Sequence, residues 1–229
     1  MVHHALVLAD GSVGDRAELD RAWPGWDENY DLVIAADGGA RHAARLGLRL
    51  DRWVGDGDSI DASDLAAIRQ SGVQVLLVDA AKDESDAELA VLAAIEADAA
   101  RLTILGASGG ARADHALANV WLLAHPALVD RPAVLLDAGA RIRLVTVPDG
   151  GPPVTADLAG RRGDLVTLLP FGGDATGVTT QGLRFPLVDE PLLVGPSRGL
   201  SNVREAADAS VRLRSGRLLV IETPATLWE

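Results

Sequence analysis

Residues 32–40 have the sequence LVIAADGGA, in which a short apolar run ends at an aspartate and a pair of glycines. A run of this length, mostly β-branched or leucine at its start, predicts a buried strand. Further runs of this kind occur in the first half of the chain, at 5–9, 73–78, 102–105 and 133–136. Between the runs lie segments with apolar residues at helical spacing, which begin at about Ile60, Ser85 and Asp114. Strands that alternate with helices predict βαβ units and a parallel sheet covered on both faces.

The pattern changes near the turn-rich segment 148–153, PDGGPP, which predicts a domain boundary. The runs beyond it are short and separated by glycines, and they lie at 164–169, 177–180, 192–194, 209–213 and 218–222. Residues 214–217 predict a hairpin loop between the last two runs. We therefore expect an α/β parallel-sheet domain over residues 1–147, followed by a small C-terminal antiparallel β-sandwich over residues 153–229.

The composition excludes several classes of protein. The 229 residues include 33 acidic and 21 basic side chains, which gives a net charge of −12, and such a surface repels nucleic acid phosphates. The apolar runs are much shorter than the roughly 18 residues of a membrane span, so none is expected. The N-terminus lacks the pattern of an export signal. Cysteine is absent, which rules out disulfides and thiolate metal sites and agrees with a cytoplasmic location.

Two aspartates stand two residues apart in the segment 54–59, VGDGDS. In extended backbone Asp56 and Asp58 point the same way, so their carboxylates repel each other unless a cation lies between them. Hard oxygen ligands of this kind suit Mg²⁺, which also binds substrate phosphates. Alternatively, Asp58 or Ser59 caps the helix that begins after Ile60. A cap requires one such residue, and the second aspartate is then unexplained, so we favour a metal site.

The aspartate and glycines of the opening segment form a second candidate site, because ligands bind beyond the carboxyl ends of parallel strands. Gly38 and Gly39 allow backbone N–H groups to approach a phosphate closely, and the helix that follows offers its positive N-terminus. The alternative is a tight turn between strand and helix, with Asp37 at its start. The residues alone leave both interpretations open.

A third cluster occupies residues 82–88, KDESDAE, after the run at 73–78. Ser85 and Glu88 have the spacing of a capping box and predict the start of a helix. Asp86, in the first turn, either complements the helix dipole or supplies a third metal ligand. Lys82 either binds phosphate or extends into solvent.

A fourth cluster follows the run at 102–105. It combines glycines with polar and charged residues, namely Gly109, Gly110, Arg112, Asp114, His115 and Asn119. Arginine pairs well with phosphate oxygens, whereas a lone histidine is more often structural than catalytic. The sequence contains no Walker-type phosphate loop. Acidic metal ligands, glycine turns and a few cations together predict phosphoryl-transfer chemistry.

These four motifs, in their order along the chain, resemble those of thiamine pyrophosphokinases. The second half adds residues 182–187, GLRFPL, and 200–202, LSN, which are similar to that family's thiamine-binding domain. The resemblance implies an N-terminal catalytic domain, a C-terminal β-sandwich, and ATP and thiamine as substrates. It also implies a homodimer whose thiamine sites lie between subunits, with Ser201 and Asn202 facing thiamine.

The resemblance further implies roles for the acidic residues. Asp56, Asp58 and Asp86 are expected to hold Mg²⁺ together with the ATP phosphates. Asp114 is expected to lie near the reacting hydroxyl, where it could accept the proton. The other candidates share a proposed role in binding the nucleotide, and they are Asp37, Gly38, Gly39, Lys82, Gly109, Gly110, Arg112, His115 and Asn119.

The chain departs from the family pattern at two positions, and it has few aromatic residues. Gly57 stands where the family usually has an aromatic residue, and Val203 where it often has glutamate. Trp228 is a candidate for stacking on thiamine, with packing as the alternative. Two other functions remain open: a pyrophosphokinase acting on another small alcohol, and a non-catalytic module that senses a nucleotide or a thiamine derivative. Retention of all four candidate catalytic aspartates argues against the sensor.

Overall fold

The structure, a computed structural model, describes residues 2–227, so Trp228 lies outside the described residues. The chain divides between Ala138 and Gly139 into two compact units. This division lies earlier than the predicted end of the first domain at residue 147. The reason is that Arg141–Thr146 forms a strand paired along its whole length with Arg217–Thr223 near the end of the chain.

The first unit alternates strands and helices. Its elements are β1 (His4–Leu8), α1 (Arg16–Ala22), β2 (Leu32–Ala36), α2 (Ala40–Leu46), β3 (Arg52–Gly55), α3 (Ala62–Gln70), β4 (Gln74–Leu77), α4 (Asp86–Glu96), β5 (Arg101–Leu105), α5 (Ala113–Leu122) and β6 (Ala133–Leu136). Short 3-10 helices lie at Asp37–Gly39 and Pro126–Leu128. The predicted parallel sheet is confirmed, whereas α1 and β3 were not predicted.

The sheet of the first unit has the order β6-β5-β1-β2-β3-β4, and all these neighbours are parallel. Every residue of Leu32–Ala36 is buried, and because successive side chains point to opposite faces, the sheet is covered on both faces at β2. Helix α4 packs against β1, β2 and β3, and its residues Ala90, Val91 and Ala94 are buried.

The strand order reverses direction between β1 and β5. From β1 the chain adds β2, β3 and β4 on one side, and then returns to place β5 and β6 on the other. In sheets of this kind the loops that leave the carboxyl ends of the two strands at the reversal diverge and leave a crevice where ligands bind. The topology therefore points to the ends of β1 and β5 as the place for a ligand.

The second unit is built from antiparallel strands. They are β7 (Arg141–Thr146), β8 (Val154–Asp157), β9 (Leu165–Pro170), β10 (Ala175–Gln181), β11 (Glu190–Leu192), β12 (Asn202–Val203), β13 (Ser210–Leu213) and β14 (Arg217–Thr223). One sheet has the order β12-β9-β14-β7 and the other β11-β10-β13-β8. Their inner faces share one apolar core that includes Val166, Val220, Val178 and Val211. The predicted antiparallel β-sandwich is confirmed.

The predicted hairpin at residues 214–217 is wrong. β13 pairs with β8 and β10, whereas β14 pairs with β7 and β9, so the loop crosses from one sheet to the other. Ser215 forms a bridge with Thr176, and Gly216 has a φ of 90°. A Cβ at Gly216 would lie 2.7 Å from the carbonyl oxygen of Asp174, so glycine is required here for close packing.

Within residues 2–227, no helix is both long enough and apolar enough to cross a membrane.

Candidate active site

Three aspartates from two neighbouring strand ends form an acidic cluster. Asp37 follows β2, and Asp56 and Asp58 follow β3, which pairs with β2 in parallel. Each of the three offers a carboxylate oxygen, and these oxygens all lie within 4.8 Å of one another. From the sequence, Asp56 and Asp58 were predicted to share a metal site, whereas Asp37 was predicted to bind the nucleotide. The sequence does not show that β2 and β3 are neighbours, so it does not show that Asp37 lies beside the other two.

Asp37 lies in strained and buried surroundings. Asp37 has a φ of 40° and is only 2% exposed. One of its carboxylate oxygens accepts a hydrogen bond from the backbone N–H of Ser59 at 3.2 Å. The other oxygen, Oδ1, is buried and has no hydrogen-bond partner within residues 2–227. Burial raises the pKa of Asp37 to about 6, and the negative charges of Asp86, Asp58 and Asp56 add to the effect. A divalent cation at this cluster would satisfy the unpartnered oxygen and offset the clustered charge, so the residues fit a hard metal ion.

Asp58 and Ser59 do not cap the following helix. The N-cap residue of α3 is Asp61, and its side chain makes no capping hydrogen bond. Instead, the N–H of Asp58 donates to Asp56 Oδ1 at 3.1 Å, and Ser59 Oγ donates to Asp58 Oδ1 at 2.8 Å. The hydrogen bond from Asp58 and the nearby Lys82 ammonium lower the pKa of Asp56. The capping alternative is therefore wrong, and the carboxylates of Asp56 and Asp58 both belong to the acidic cluster.

Lys82 connects Asp86 to the cluster. Its ammonium donates to Asp86 Oδ1 at 2.6 Å and to Asp56 Oδ2 at 3.2 Å. Burial opposes the charge of Lys82, but the two carboxylates outweigh it and raise the pKa of the ammonium. Asp86 begins α4, and Ser85 is the N-cap as predicted, since its hydroxyl accepts from the N–H of Glu88 at 3.2 Å.

A cleft of about 470 Å³ opens at the carboxyl ends of β1 and β5, where the strand order reverses. Several predicted nucleotide-binding residues line it, together with Asp86, and these are Asp37, Gly109, Gly110, Arg112, His115 and Asn119. The other predicted residues of the first unit lie outside its wall, and these are Gly38, Gly39, Lys82, Asp56, Asp58 and Asp114. The predicted motifs therefore lie in one region, which consists of a cleft and an adjoining acidic cluster. Asp37 belongs to both.

Gly38 and Gly39 have a packing role in the structure. A Cβ at Gly38 would lie 2.5 Å from Asp10 Oδ1, and a Cβ at Gly39 would overlap the carbonyl oxygen of Leu8. Both glycines therefore allow the turn after β2 to pass close to the end of β1. This arrangement corresponds to the tight-turn alternative. The two glycines lie beside the cleft and do not line it.

Sequence reasoning missed the loop after β1, residues 10–14, which lines the cleft with Asp10, Gly11 and Ser12. Three side chains of α2 hold this loop through its carbonyl oxygens: Arg41 donates to Asp10 at 2.5 Å, His42 to Gly11 at 2.9 Å, and Arg45 to Gly14 at 3.3 Å. The signal was present in the sequence, because DGSVG directly follows the apolar run at 5–9.

His42 is 1% exposed, and burial lowers its pKa to about 4. The imidazole is therefore neutral near pH 7, with its proton on Nε2 toward the Gly11 carbonyl. Gly11 in turn packs against the loop after β5, where an added Cβ would overlap the carbonyl oxygens of Gly109 and Gly106. The two loops at the reversal of strand order are thus interlocked through backbone contacts.

Arg112 and Asp114 form an exposed ion pair at the start of α5. The guanidinium contacts both carboxylate oxygens, at 2.9 and 2.7 Å. These hydrogen bonds hold the pKa of Asp114 well below its usual range. While this pair is intact, Asp114 is a weak proton acceptor. Asn119, by contrast, is buried and donates to the carbonyl oxygen of Ala107 at 2.9 Å, so it shapes the loop after β5.

Ser201 and Asn202 belong to the second unit. Asn202 fixes Phe185 of the predicted 182–187 motif, because its amide accepts from the N–H of Phe185 at 3.0 Å and donates to its carbonyl oxygen at 2.7 Å. Phe185 is 58% exposed, and with Asn202 it borders a cavity of about 120 Å³. Ser201 has a φ of 55°, and its N–H donates to Thr167 Oγ1 at 2.9 Å.

Two family models match the chain in order. Residues 25–135 match the catalytic domain of thiamin pyrophosphokinase, and residues 154–218 match its vitamin B1 binding domain. The chain is 26% identical over 199 residues to the thiamine pyrophosphokinase of Bacillus subtilis, a match that covers 87% of this chain and 90% of that protein.

Solved structures show the same fold. A thiamine pyrophosphokinase structure from Bacillus subtilis has a TM-score of 0.81 at 24% identity, over 96% of this chain and 99% of that one. The yeast thiamin pyrophosphokinase has a TM-score of 0.77 at 14% identity, over 97% of this chain and 86% of that one.

Proposed function

Because the chain belongs to the thiamin pyrophosphokinase family, we propose that it transfers the pyrophosphoryl group of ATP to the hydroxyl of thiamine. The products are thiamine diphosphate and AMP. The observation that carries the proposal is the acidic cluster of Asp37, Asp56 and Asp58 beside the cleft, within the matched catalytic domain. A cleft next to clustered carboxylates suits a phosphate-rich substrate that arrives with a divalent cation.

The cation is proposed to be Mg²⁺, held by Asp56, Asp58 and Asp86, with Asp37 as a further ligand. The unpartnered Oδ1 of Asp37 and the all-oxygen donor set support this assignment. When bound, a divalent cation neutralises phosphate charge and polarises the phosphorus centre that is attacked. The negative charges of the aspartates would hold such a cation beside the cleft that is proposed to bind the phosphates.

The cleft is proposed to bind ATP through the loops after β1 and β5. Gly109 and Gly110 let the backbone approach the nucleotide, and Arg112 is positioned to pair with phosphate oxygens. Buried Asn119 and neutral His42 keep the two loops in place through their hydrogen bonds to backbone carbonyls. The nucleotide then meets a preformed surface rather than one that must be ordered on binding.

In the proposed reaction the thiamine hydroxyl attacks the β-phosphorus of ATP, and AMP leaves. Asp114 is the proposed proton acceptor. In the free protein its pair with Arg112 depresses its pKa, so it gains basicity only when Arg112 turns toward a phosphate. Binding of ATP and activation of the base are thereby coupled through one arginine.

Thiamine is proposed to bind through the second unit, near Ser201, Asn202 and the exposed ring of Phe185. The match of residues 154–218 to a vitamin B1 binding domain supports this placement. We further propose that the enzyme acts in the cytoplasm as a homodimer whose subunits share their thiamine sites. An aromatic ring such as that of Phe185 suits the cationic thiazolium.

The proposal is tested by incubating the protein with ATP, Mg²⁺ and thiamine and identifying the products by mass spectrometry. Thiamine diphosphate and AMP in equal amounts are expected. Formation of ADP and thiamine monophosphate, or turnover of another small alcohol in preference to thiamine, would require a different assignment. A protein that binds both substrates without turnover would be a sensor rather than an enzyme.

A further inference from the structure

Lys82 is placed between two carboxylates that the proposed function assigns to the cation. Its ammonium lies 2.6 Å from Asp86 Oδ1 and 3.2 Å from Asp56 Oδ2. All three side chains are largely shielded, with 14% of Lys82, 13% of Asp56 and 28% of Asp86 exposed. These contacts are therefore far better protected from solvent than an ordinary surface ion pair.

The charges around Lys82 are strongly unbalanced. The oxygens of Asp37, Asp56 and Asp58 lie within 4.8 Å of one another, and Asp86 is joined to them through the lysine. Like charges held this close destabilise one another. The Lys82 ammonium donates to both Asp56 and Asp86, so its positive charge compensates part of the repulsion.

Asp56 is the residue for which Lys82 and a metal ion would compete. Its Oδ2 accepts from the Lys82 ammonium, and its Oδ1 accepts from the N–H of Asp58. A cation that takes Asp56 as a ligand must share or replace one of these donors. A positive charge beside the site also repels an arriving cation.

We propose that Lys82 is a resident counter-ion of the acidic cluster, which holds Asp56 and Asp86 in place before the cation arrives and competes with that cation for them. The inference rests on the proposed function, because it takes the cluster as the cation site. Lys82 acts here as a positioning residue: it stabilises the free cluster and limits its affinity for the cation. Once displaced from Asp56, its ammonium is available to the phosphates.

A purely structural role for Lys82 makes the opposite prediction. If the lysine only tethered the loop before α4 to the end of β3, its removal would loosen Asp56 and Asp86 and weaken cation binding. If it is a counter-ion, its removal leaves an uncompensated acidic cluster that binds the cation more tightly. The sign of the change in affinity therefore separates the two roles.

The test is a titration of the nucleotide-free protein with Mn²⁺, in which free Mn²⁺ is followed by electron paramagnetic resonance. Lys82→Met, which keeps most of the length of the side chain without its charge, should bind Mn²⁺ about tenfold more tightly than the unaltered protein. Lys82→Arg, which keeps the charge, should bind it like the unaltered protein. Without metal, Lys82→Met should unfold at a lower temperature, and saturating Mn²⁺ should remove the difference.

Unchanged or weaker Mn²⁺ binding by Lys82→Met would overturn the inference, as would a failure of all the proteins to bind Mn²⁺ without nucleotide. Lys82→Gln gives the same comparison if the methionine variant does not fold. The product assay separates this failure from that of the proposed function. If the unaltered protein forms thiamine diphosphate while Lys82→Met binds Mn²⁺ no more tightly, only the role of Lys82 is wrong.

Discussion

Asp37 is the residue whose protonation should respond most to a bound cation. Its pKa is raised to about 6, chiefly by burial and further by Asp86, Asp58 and Asp56, and its Oδ1 has no partner within residues 2–227. A nearby divalent cation favours the ionised carboxylate and lowers its pKa again. The acidic cluster should therefore carry its full charge near neutral pH when metal is present.

The raised pKa of Asp37 predicts a pH-dependent stability in the metal-free protein. The group titrates near 3.8 when unfolded and near 6 when folded, so the folded state binds the extra proton between these values. Its contribution to stability is therefore full below about pH 4 and falls by roughly 3 kcal/mol as the pH rises past 6. Urea unfolding in EDTA should show this decline in the difference between the unaltered protein and Asp37→Asn. A difference that stays constant from pH 4 to 7 would contradict the raised pKa.

Asp58 provides the most direct residue-scale test of the acidic cluster. Asp58→Asn removes a ligand charge without removing a core side chain, so turnover at limiting Mg²⁺ should fall by about 100-fold or more while the circular dichroism spectrum is retained. Asp61→Asn is the matched control, because Asp61 is exposed and its side chain makes no capping hydrogen bond. Near-normal activity of Asp58→Asn at limiting Mg²⁺ would remove Asp58 from the metal site.

Asn202 tests the division of substrates between the two units. Asn202→Ala loses both hydrogen bonds to the Phe185 backbone, so the exposed ring loses its fixed position. Because the ring and the amide that face thiamine in the proposed site are then no longer held, thiamine binding should weaken about tenfold or more, which corresponds to roughly 1.4 kcal/mol. Calorimetric titration should show ATP binding nearly unchanged. Damage to ATP binding with thiamine binding spared would mean that the substrates were assigned to the wrong units.

At the scale of elements, the cleft depends on the contact between the loops after β1 and β5. Gly11→Ala places a methyl group against the backbone carbonyls of Gly109 and Gly106, which must then move apart. We expect a loss of about 1–3 kcal/mol in stability and a raised KM for ATP. Gly150→Ala is a useful comparison, because its Cβ meets nothing within 4 Å, although its φ of 69° still carries a backbone cost.

Equal effects of the two substitutions on the KM for ATP would show that the interlocked loops do not set the nucleotide site. Thermal unfolding of both variants separates a general loss of stability from a specific loss of binding.

The elements that the sequence could predict are those whose signal is local. Ser85 and Glu88 identify the start of α4 by spacing alone, and the apolar run at 102–105 identifies β5. The short strand Arg52–Gly55 gave no such signal, because it is four residues long, begins with arginine and ends with glycine. The loop at 214–217 was recognised as a turn, but which strands pair across it depends on contacts distant in the sequence.

The candidate site shows the same limit. Asp56 and Asp58 could be grouped because they are two residues apart, whereas Asp37 joins them only through the pairing of β2 with β3. The loop of residues 10–14 became part of the site because β1 lies beside β5, at the reversal of strand order. Pairings between distant segments are set by the packing of the whole sheet, and a single sequence does not encode them as a local pattern.

At the scale of the whole molecule, the proposed homodimer with shared sites predicts complementation between two impaired chains. Asp58→Asn damages the proposed catalytic site, and Asn202→Ala damages the proposed thiamine site. Mixed dimers of the two variants should contain some sites with both parts intact, so activity should return after subunit exchange. The mixture should exceed the summed activity of the separate variants. A fully active protein that light scattering shows to be monomeric would contradict the proposal.

The central claim is that the cleft and its acidic cluster transfer an intact pyrophosphoryl group to thiamine. It is tested most directly with ATP labelled in the γ-phosphate, in the presence of Mg²⁺ and thiamine. The account predicts label in thiamine diphosphate, an equal amount of unlabelled AMP, and loss of both products in Asp58→Asn. Label released as inorganic phosphate or transferred as a single phosphoryl group with ADP as the co-product, or full labelling of thiamine diphosphate by Asp58→Asn, would contradict it.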